Sequence, residues 1–458
     1  MTFTSSIFLI GLLPWFILSI WLTKKVKSAK TILVILMNSI FYIWGGIGAF
    51  FFVCAFSFFV WLFGRIIARS EGKSLFMISM CITLLPLLGV KYSGFVIGNL
   101  NSLLGSRLAY PEIIIPLGIS FFTFEAISLL SDIYCGKIND KISFLEVFTY
   151  LTFFPTVTSG PIMRFGDFKQ GLTNEICTAS YDTAIEKILL GLCKKVLIAD
   201  KLAILANFYF DGMTAGRTFS CAGLWVGSVA YSLQLYFDFS GYSDMAIGIG
   251  QLLGFKIGRN FNNPYQANSI SDFWKRWHIS LSQWFRDYVY IPLGGHRCQV
   301  SRHILNLFVV WFLTGIWHGT GWSFIMWGMG YFLLLTAEKY IPFMKKIGAK
   351  WYGHIYALFC INLLWVPFRA DSLTVALKYL AGMFGIGSIG GLESRAAAFI
   401  PYLLVAAALC CPWEKVYEKY MQNRACKFLK GILLIVLSVL AVSAVISSSY
   451  TTYIYGNF

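Results

Sequence analysis

Charge is what this 458-residue chain has least of. Only 13% of its residues are Asp, Glu, Lys or Arg, about half the roughly 25% of an average soluble domain. That shortage excludes an ordinary water-soluble globule. Linkers, heptads and internal repeats are missing as well, which excludes separate modules, a coiled coil and a repeat array. The eleven cysteines contain no CxxC pair and no metal-like spacing, and Cys54, Cys81, Cys360, Cys410 and Cys411 fall inside apolar runs. Neither a disulfide framework nor a metal site is expected, because such cysteines behave as small buried hydrophobes. No HExxH and no GxxxxGK[ST] occurs, so zinc-protease and phosphate-loop chemistry are excluded. Short alternating segments are absent too, which argues against an outer-membrane barrel.

What the chain has is hydrocarbon: 57% of its residues are hydrophobic and 18% aromatic. Apolar runs of about 17–20 residues recur along its length, as in a multi-span helical membrane protein. The fold class expected is all-α and polytopic, in one integral-membrane domain over 1–458. Candidate spans are 6–22, 31–45, 46–64, 74–90, 112–134, 221–253, 304–320, 322–338, 354–368, 397–412 and 430–449. The run 221–253 is long enough to be expected as a broken helix. Segment 6–22 lacks a basic lead-in and a small-residue cleavage site, so it is expected to be a retained first span.

The net charge of +16 comes from basic residues scattered through short loops. That pattern fits the positive-inside rule and anionic lipid, not nucleic acid. KKVKSAK (24–30) then places the amino terminus outside, and 65–73, 135–141, 255–303, 339–350 and 414–427 inside. The count closes only if one of 144–160 and 187–210 crosses. FFPTVTSGP in the first suggests a broken or re-entrant helix, and the lysines in the second suggest an interfacial one. The total expected is about 11–12 spans plus interfacial or re-entrant helices.

FWKRWHISLSQWFRDY (273–288) interrupts this pattern. On a helix at about 100° per residue, Trp274, Trp277, Leu281, Trp284, Phe285, Tyr288 and Val289 share an arc of about 140°. Taken alone, that is an amphipathic anchor lying in the membrane interface. His278 projects about 40° from Trp274, inside the apolar arc, where an anchor needs no titratable group. Desolvation would hold its imidazole neutral, as a base or hydrogen-bond partner.

A second histidine stands in LFVVWFLTGIWHGTGW (307–322), an almost charge-free span. Ionisable groups inside membranes are costly and mark function by default. Gly315, Gly319 and Gly321 are expected to leave space around His318, with Trp311, Trp317 and Trp322 as walls. A neutral imidazole there suits general-base chemistry, taking a proton from a hydroxyl that attacks an acyl thioester. Of the other three histidines, His296 and His303 are expected in a polar loop and His354 at the start of a span.

These segments resemble the membrane-bound O-acyltransferase family. DFWKRWHISLSQWFRDYVYIPLGGHR (272–297) is similar to the family's bacterial signature, and GIWHG (315–319) to the segment bearing its principal histidine. FFTFEAISLLSDIY (121–134), FFPTVTSGPIMR (153–164), YFDFSGYSDMAIGIGQLLGF (236–255) and NFNNPYQANSISDFW (260–274) add to a resemblance covering about residues 115–325. IPLGGHR resembles the alginate O-acetyltransferase branch, with His296 where Asn is usual.

The resemblance implies His318 as catalytic residue and His278 as the second family histidine. It further implies a bacterial cytoplasmic-membrane location and no permanently bound cofactor. An acyl group, expected to be acetyl, would come from cytoplasmic acetyl-CoA or an acyl carrier protein. It would cross the protein to an extracytoplasmic partner with an SGNH or esterase-like domain, and then reach a polysaccharide. Trp274, Trp277, Arg276, Arg286, Trp317 and Asp238 are the expected substrate-binding residues, the two arginines as candidates for donor phosphates. D-alanyl transfer to teichoic acid, and a non-enzymatic polysaccharide transporter or exporter, are the alternatives.

Overall fold

The computed structural model describes residues 3–23, 27–70, 72–109, 115–174, 181–348, 350–388, 390–420 and 422–447. Among them every regular element is helical and none is a strand. Each apolar run expected to span carries a helix. Four are both long and apolar enough to cross a bilayer unaided: Ile47–Ile67, the continuous run Lys73–Leu104, Val300–His318 and Arg424–Ser447. Lys24 and Lys25 of the first basic loop, and the ends of the expected spans at 112–114 and 448–449, lie outside the described residues.

Cα packing divides the chain into two compact units, Met1–Ile188 with Met245–Gly258, and Leu189–Asp244 with Arg259–Asn457. In the first, Ile119–Tyr134 is buried along nearly its whole length, with Glu125 and Asp132 buried among its apolar side chains. Gly118 starts it with φ +75°, and a side chain there would strike the Val157 carbonyl, so only glycine fits. After the eight-residue helix Phe144–Leu151 the chain runs irregularly through Phe153–Arg164. Irregular backbone away from water must find partners within the protein. Asn38 supplies two, its Nδ2 donating to the Thr149 carbonyl at 3.0 Å and its Oδ1 accepting from Phe154 N–H at 3.0 Å.

A helix of eight residues is about 12 Å long and cannot cross a core of about 30 Å. The segment 144–160 is therefore broken, as FFPTVTSGP suggested. The alternative, 187–210, lies within a helical run from Tyr181 to Thr214, interrupted only by π-helical turns at Lys194–Ala199. Its length suffices to cross. The run 221–253 corrects its expectation: Cys221–Leu252 is one unbroken helix. Its polar residues are accommodated by partners rather than by a break.

In the second unit, Val300–His318 and Trp322–Tyr340 form a tight helical hairpin. Gly315 and Gly328 face each other there. A Cβ on Gly328 would stand 2.5 Å from the Trp311 carbonyl oxygen and 3.1 Å from Gly315 Cα. Small residues let membrane helices approach closely, and dispersion between the backbones holds them. Gly328→Ala is expected to force the pair apart and to cost about 1–3 kcal/mol. Thermal unfolding of the detergent-solubilised chain, followed by loss of monodisperse protein, measures it; an unchanged midpoint would contradict this contact.

Candidate active site

Residues 273–289 do not form one helix. Ile270–Arg276 ends at Trp277, Ile279–Phe285 starts after His278, and Arg286–Tyr290 is a π-helical turn. The cause lies in a neighbouring extended stretch, which takes the backbone groups at the break. Asn262 N–H donates to the Arg276 carbonyl at 2.9 Å, and Ile279 N–H to the Asn260 carbonyl at 3.0 Å. His278 turns the corner with φ +42°, in the left-handed region. That conformation costs a non-glycine residue on the order of 1 kcal/mol, and residues so held cluster at functional sites.

The break overturns the interface-anchor expectation. Trp274, Trp277, Trp284 and Phe285 are buried in protein. Trp277 packs on Phe261, Phe273 and Trp365 with ring separations of 5.1, 5.4 and 5.1 Å. Trp274 packs on Trp311 at 4.7 Å and on Tyr331 at 5.0 Å. A helical projection cannot see a helix that stops half-way.

His278 is nevertheless fully buried, at 0% exposure. Phe239 meets it edge-on at 4.6 Å. Its Nδ1 lies 3.2 Å from Asn260 Oδ1. That same oxygen accepts from Ser280 N–H at 3.2 Å and Ser280 Oγ–H at 2.9 Å, while Asn260 Nδ2 donates to Ser243 Oγ at 3.3 Å. A backbone N–H can only donate, so the Asn260 atom facing it is the acceptor. Nδ1 of His278 must then be the protonated nitrogen. Nε2 keeps its lone pair, buried and without a hydrogen-bond partner among the described residues.

His318 closes the Val300–His318 helix and is 2% exposed. Its ring stacks edge-on against Trp317, Trp327 and Phe368 at 4.7, 4.8 and 5.1 Å. The glycines around it act differently from expectation. A Cβ on Gly319 would collide with the Phe324 ring, and one on Gly315 would lie 2.7 Å from the Phe324 carbonyl oxygen. Gly315 and Gly319 open no space; they admit the next helix. Trp322 is exposed over about half its surface, and Trp311 serves the Trp274 cluster instead.

Trp317 joins the two histidines, with its ring 6.4 Å from that of His278 and 4.7 Å from that of His318. Both imidazoles are therefore buried beside one indole among aromatic rings, although 40 positions separate them in sequence.

The remaining expected residues divide. Arg276 bonds Asp272 at 2.9 Å and Arg286 bonds Asp287 at 2.8 Å, so each guanidinium already has a carboxylate. Asp238 is buried against Lys195 at 2.7 Å, and Lys195 also bonds Asp200 at 2.6 Å. Asp244 pairs with Lys194 at 2.6 Å. Lys194 and Lys195, two of the lysines of 187–210, thus neutralise Asp244 and Asp238 of Cys221–Leu252. His303, expected in a polar loop, is buried in the Val300–His318 helix between the hydroxyls of Tyr290 and Tyr340. His354 bonds the Ala267 carbonyl at 3.1 Å.

Sequence reasoning missed Asn260, Phe239, Trp327 and Phe368. The asparagines of NFNNPYQ are a visible signal, but nothing in the sequence separates Asn260 from Asn262 and Asn263. Asn263 does turn the chain, at φ +45°.

The profile of the MBOAT, membrane-bound O-acyltransferase family matches residues 114–372. A probable alginate O-acetylase AlgI of Azotobacter vinelandii is 36% identical over 403 residues, covering 84% of this chain and 79% of that protein. A peptidoglycan O-acetyltransferase of Helicobacter pylori is 37% identical over 363 residues, covering 72% and 68%. A teichoic acid D-alanyltransferase of Bacillus subtilis is 30% identical over 282 residues, covering 56% and 70%.

The charge cluster yields a direct test. Lys195→Met leaves Asp238 and Asp200 buried without their cation, which is expected to cost about 3–5 kcal/mol. The measurement is the yield and melting temperature of folded protein in detergent; a variant as stable as the parent would show that the ion pairs are dispensable.

Proposed function

This chain belongs to the membrane-bound O-acyltransferase family, and on that premise we propose that it transfers acetyl groups to a cell-surface polysaccharide. It is a multi-pass membrane enzyme whose reaction is acyl transfer to a hydroxyl. The donor is a cytoplasmic thioester, acetyl-CoA or an acyl carrier protein, and the membrane is the bacterial cytoplasmic membrane. An extracytoplasmic partner with an esterase-like domain receives or completes the transfer. The acetyl group is favoured over D-alanine because the two acetyl-transferring relatives match more of this chain, at higher identity, than the D-alanyltransferase does.

The observation that carries the reading is the shared compartment of His278 and His318 around Trp317. As the acceptor oxygen attacks the thioester carbon, its proton passes to an imidazole, the C–S bond breaks, and the thiolate leaves and is protonated. His318 is the base in this assignment. His278 presents a bare Nε2 lone pair, which accepts a hydrogen bond from the acceptor hydroxyl and orients it. Asn260 is a positioning residue, since it fixes the tautomer that keeps Nε2 unprotonated. The aromatic walls exclude water that would hydrolyse the acyl group.

Removing a general base typically costs 10²–10⁴-fold in rate. His318→Ala is therefore expected to reduce polysaccharide acetylation by about 10³-fold. His278→Ala should give a smaller loss, and Asn260→Ala a loss of about 10–100-fold, comparable to removing a second-sphere hydrogen bond to a histidine. Acetyl content of the surface polysaccharide, in cells with matched expression, reads all three. Unchanged acetylation in the His318 variant would remove the central assignment. Radiolabelled acetyl-CoA offered to oriented vesicles checks the donor, since label must be taken up from the cytoplasmic face alone.

A further inference from the structure

A cavity of about 600 Å³ lies in the first unit, lined by none of the residues named in the chemistry above. Its floor is apolar, built from Val60, Leu129, Ile133 and Val147. Its rim carries Arg65, Arg69 and Lys141, all exposed. The nearby acids are already satisfied: Asp140 by Lys169 at 2.8 Å, Asp132 by Lys137 at 3.0 Å, and Glu146 by the Ser143 N–H and hydroxyl at 2.7 and 2.8 Å. Among the described residues no carboxylate pairs with Arg65, Arg69 or Lys141. Three cations therefore stand around apolar lining residues, and the one acid of the described lining, Asp140, is paired with Lys169.

The cavity also sits at a definable depth. Trp61 forms part of its wall, with the indole N–H donating to the Ile142 carbonyl at 3.1 Å and Arg65 over its ring at 5.2 Å. On the same helix Phe58 and Phe59 are exposed large apolar side chains, as on a lipid-facing surface. Tryptophan and arginine above exposed phenylalanine is the layering of a membrane–water boundary. The positive-inside rule gives both basic loops, 65–73 and 135–141, to the cytoplasmic face. That is the leaflet whose anionic lipids attract basic residues.

We propose that this cavity binds one anionic phospholipid of the cytoplasmic leaflet, with its phosphate among Arg65, Arg69 and Lys141 and the start of an acyl chain on the apolar floor. Phosphate could equally be offered by coenzyme A, but only a lipid uses the floor and the rim together. The proposal does not rest on the roles given to His278 and His318, and its test does not read acyl transfer.

The test uses the full chain, delipidated in neutral detergent and titrated with fluorescent phosphatidylglycerol or phosphatidylcholine, with native mass spectrometry to count bound lipid. One phosphatidylglycerol per chain is expected, bound in preference to phosphatidylcholine. A basic residue near an anionic lipid surface contributes about 1 kcal/mol, or roughly fivefold in affinity, so Arg65→Gln/Arg69→Gln should bind about 25-fold more weakly. Ala68→Trp, which fills the cavity and leaves every cation in place, should also weaken binding. Equal affinity for the two lipids, or unaltered binding in both variants, would overturn the proposal. Displacement of the lipid by coenzyme A at concentrations matching its direct binding would reassign the site to the donor's phosphates.

Discussion

Much of the second unit depends on one buried charge. Lys195 lies between Asp238 and Asp200, and it is 2% exposed. A lone ammonium or carboxylate in that environment would cost several kcal/mol, so the three groups must find one another. Their meeting fixes how the helix Cys221–Leu252 is rotated. Phe239, the next residue, is thereby set edge-on against His278, and Ser243 is set beside Asn260. The π-helical turns at Lys194–Ala199 belong to the same arrangement, since they bring Lys194 and Lys195 to Asp244 and Asp238 in succession. Extra residues in a helix are often kept where they aim particular side chains.

From that rotation the site follows by a short chain of contacts. Asn260 receives three donors on one oxygen, and this holds His278 in a single tautomer and a strained backbone conformation. On the other side, Gly315 and Gly328 draw two helices together, and Trp327 is thus pressed onto His318. Trp317 completes the compartment by touching both imidazoles. Neither histidine owes its burial to the amphipathic pattern of its own segment. Both are buried because aromatic rings from several elements converge on them.

Parts of this were open to sequence reasoning. The helical spans followed from hydropathy alone, because hydrocarbon demands long apolar helices whatever surrounds them. His278 and His318 stood out because an ionisable group is improbable in such segments without a use. The family resemblance implies a single reaction for both, and the matches bear out the family. The tryptophans of 273–288 were noticed for a reason that the structure removes: they face protein, not the bilayer interface. Arg276 and Arg286, the expected phosphate ligands, each lie beside a carboxylate, of Asp272 and Asp287.

The sequence by itself determined composition-driven properties: membrane residence, the helical class and the identity of the two rare histidines. These depend on transfer of each segment between water and hydrocarbon, a property local to that segment. Only the tertiary structure decided where the helix over 273–289 breaks, which nitrogen of His278 carries the proton, and that Trp317 brings His278 and His318 together. Each of these is set by groups distant in the chain, the 260–262 segment, Ser243 and the facing helix among them. Hydrogen bonds and ring contacts between such groups leave no periodic trace along the sequence, so they become visible only when the chain is folded.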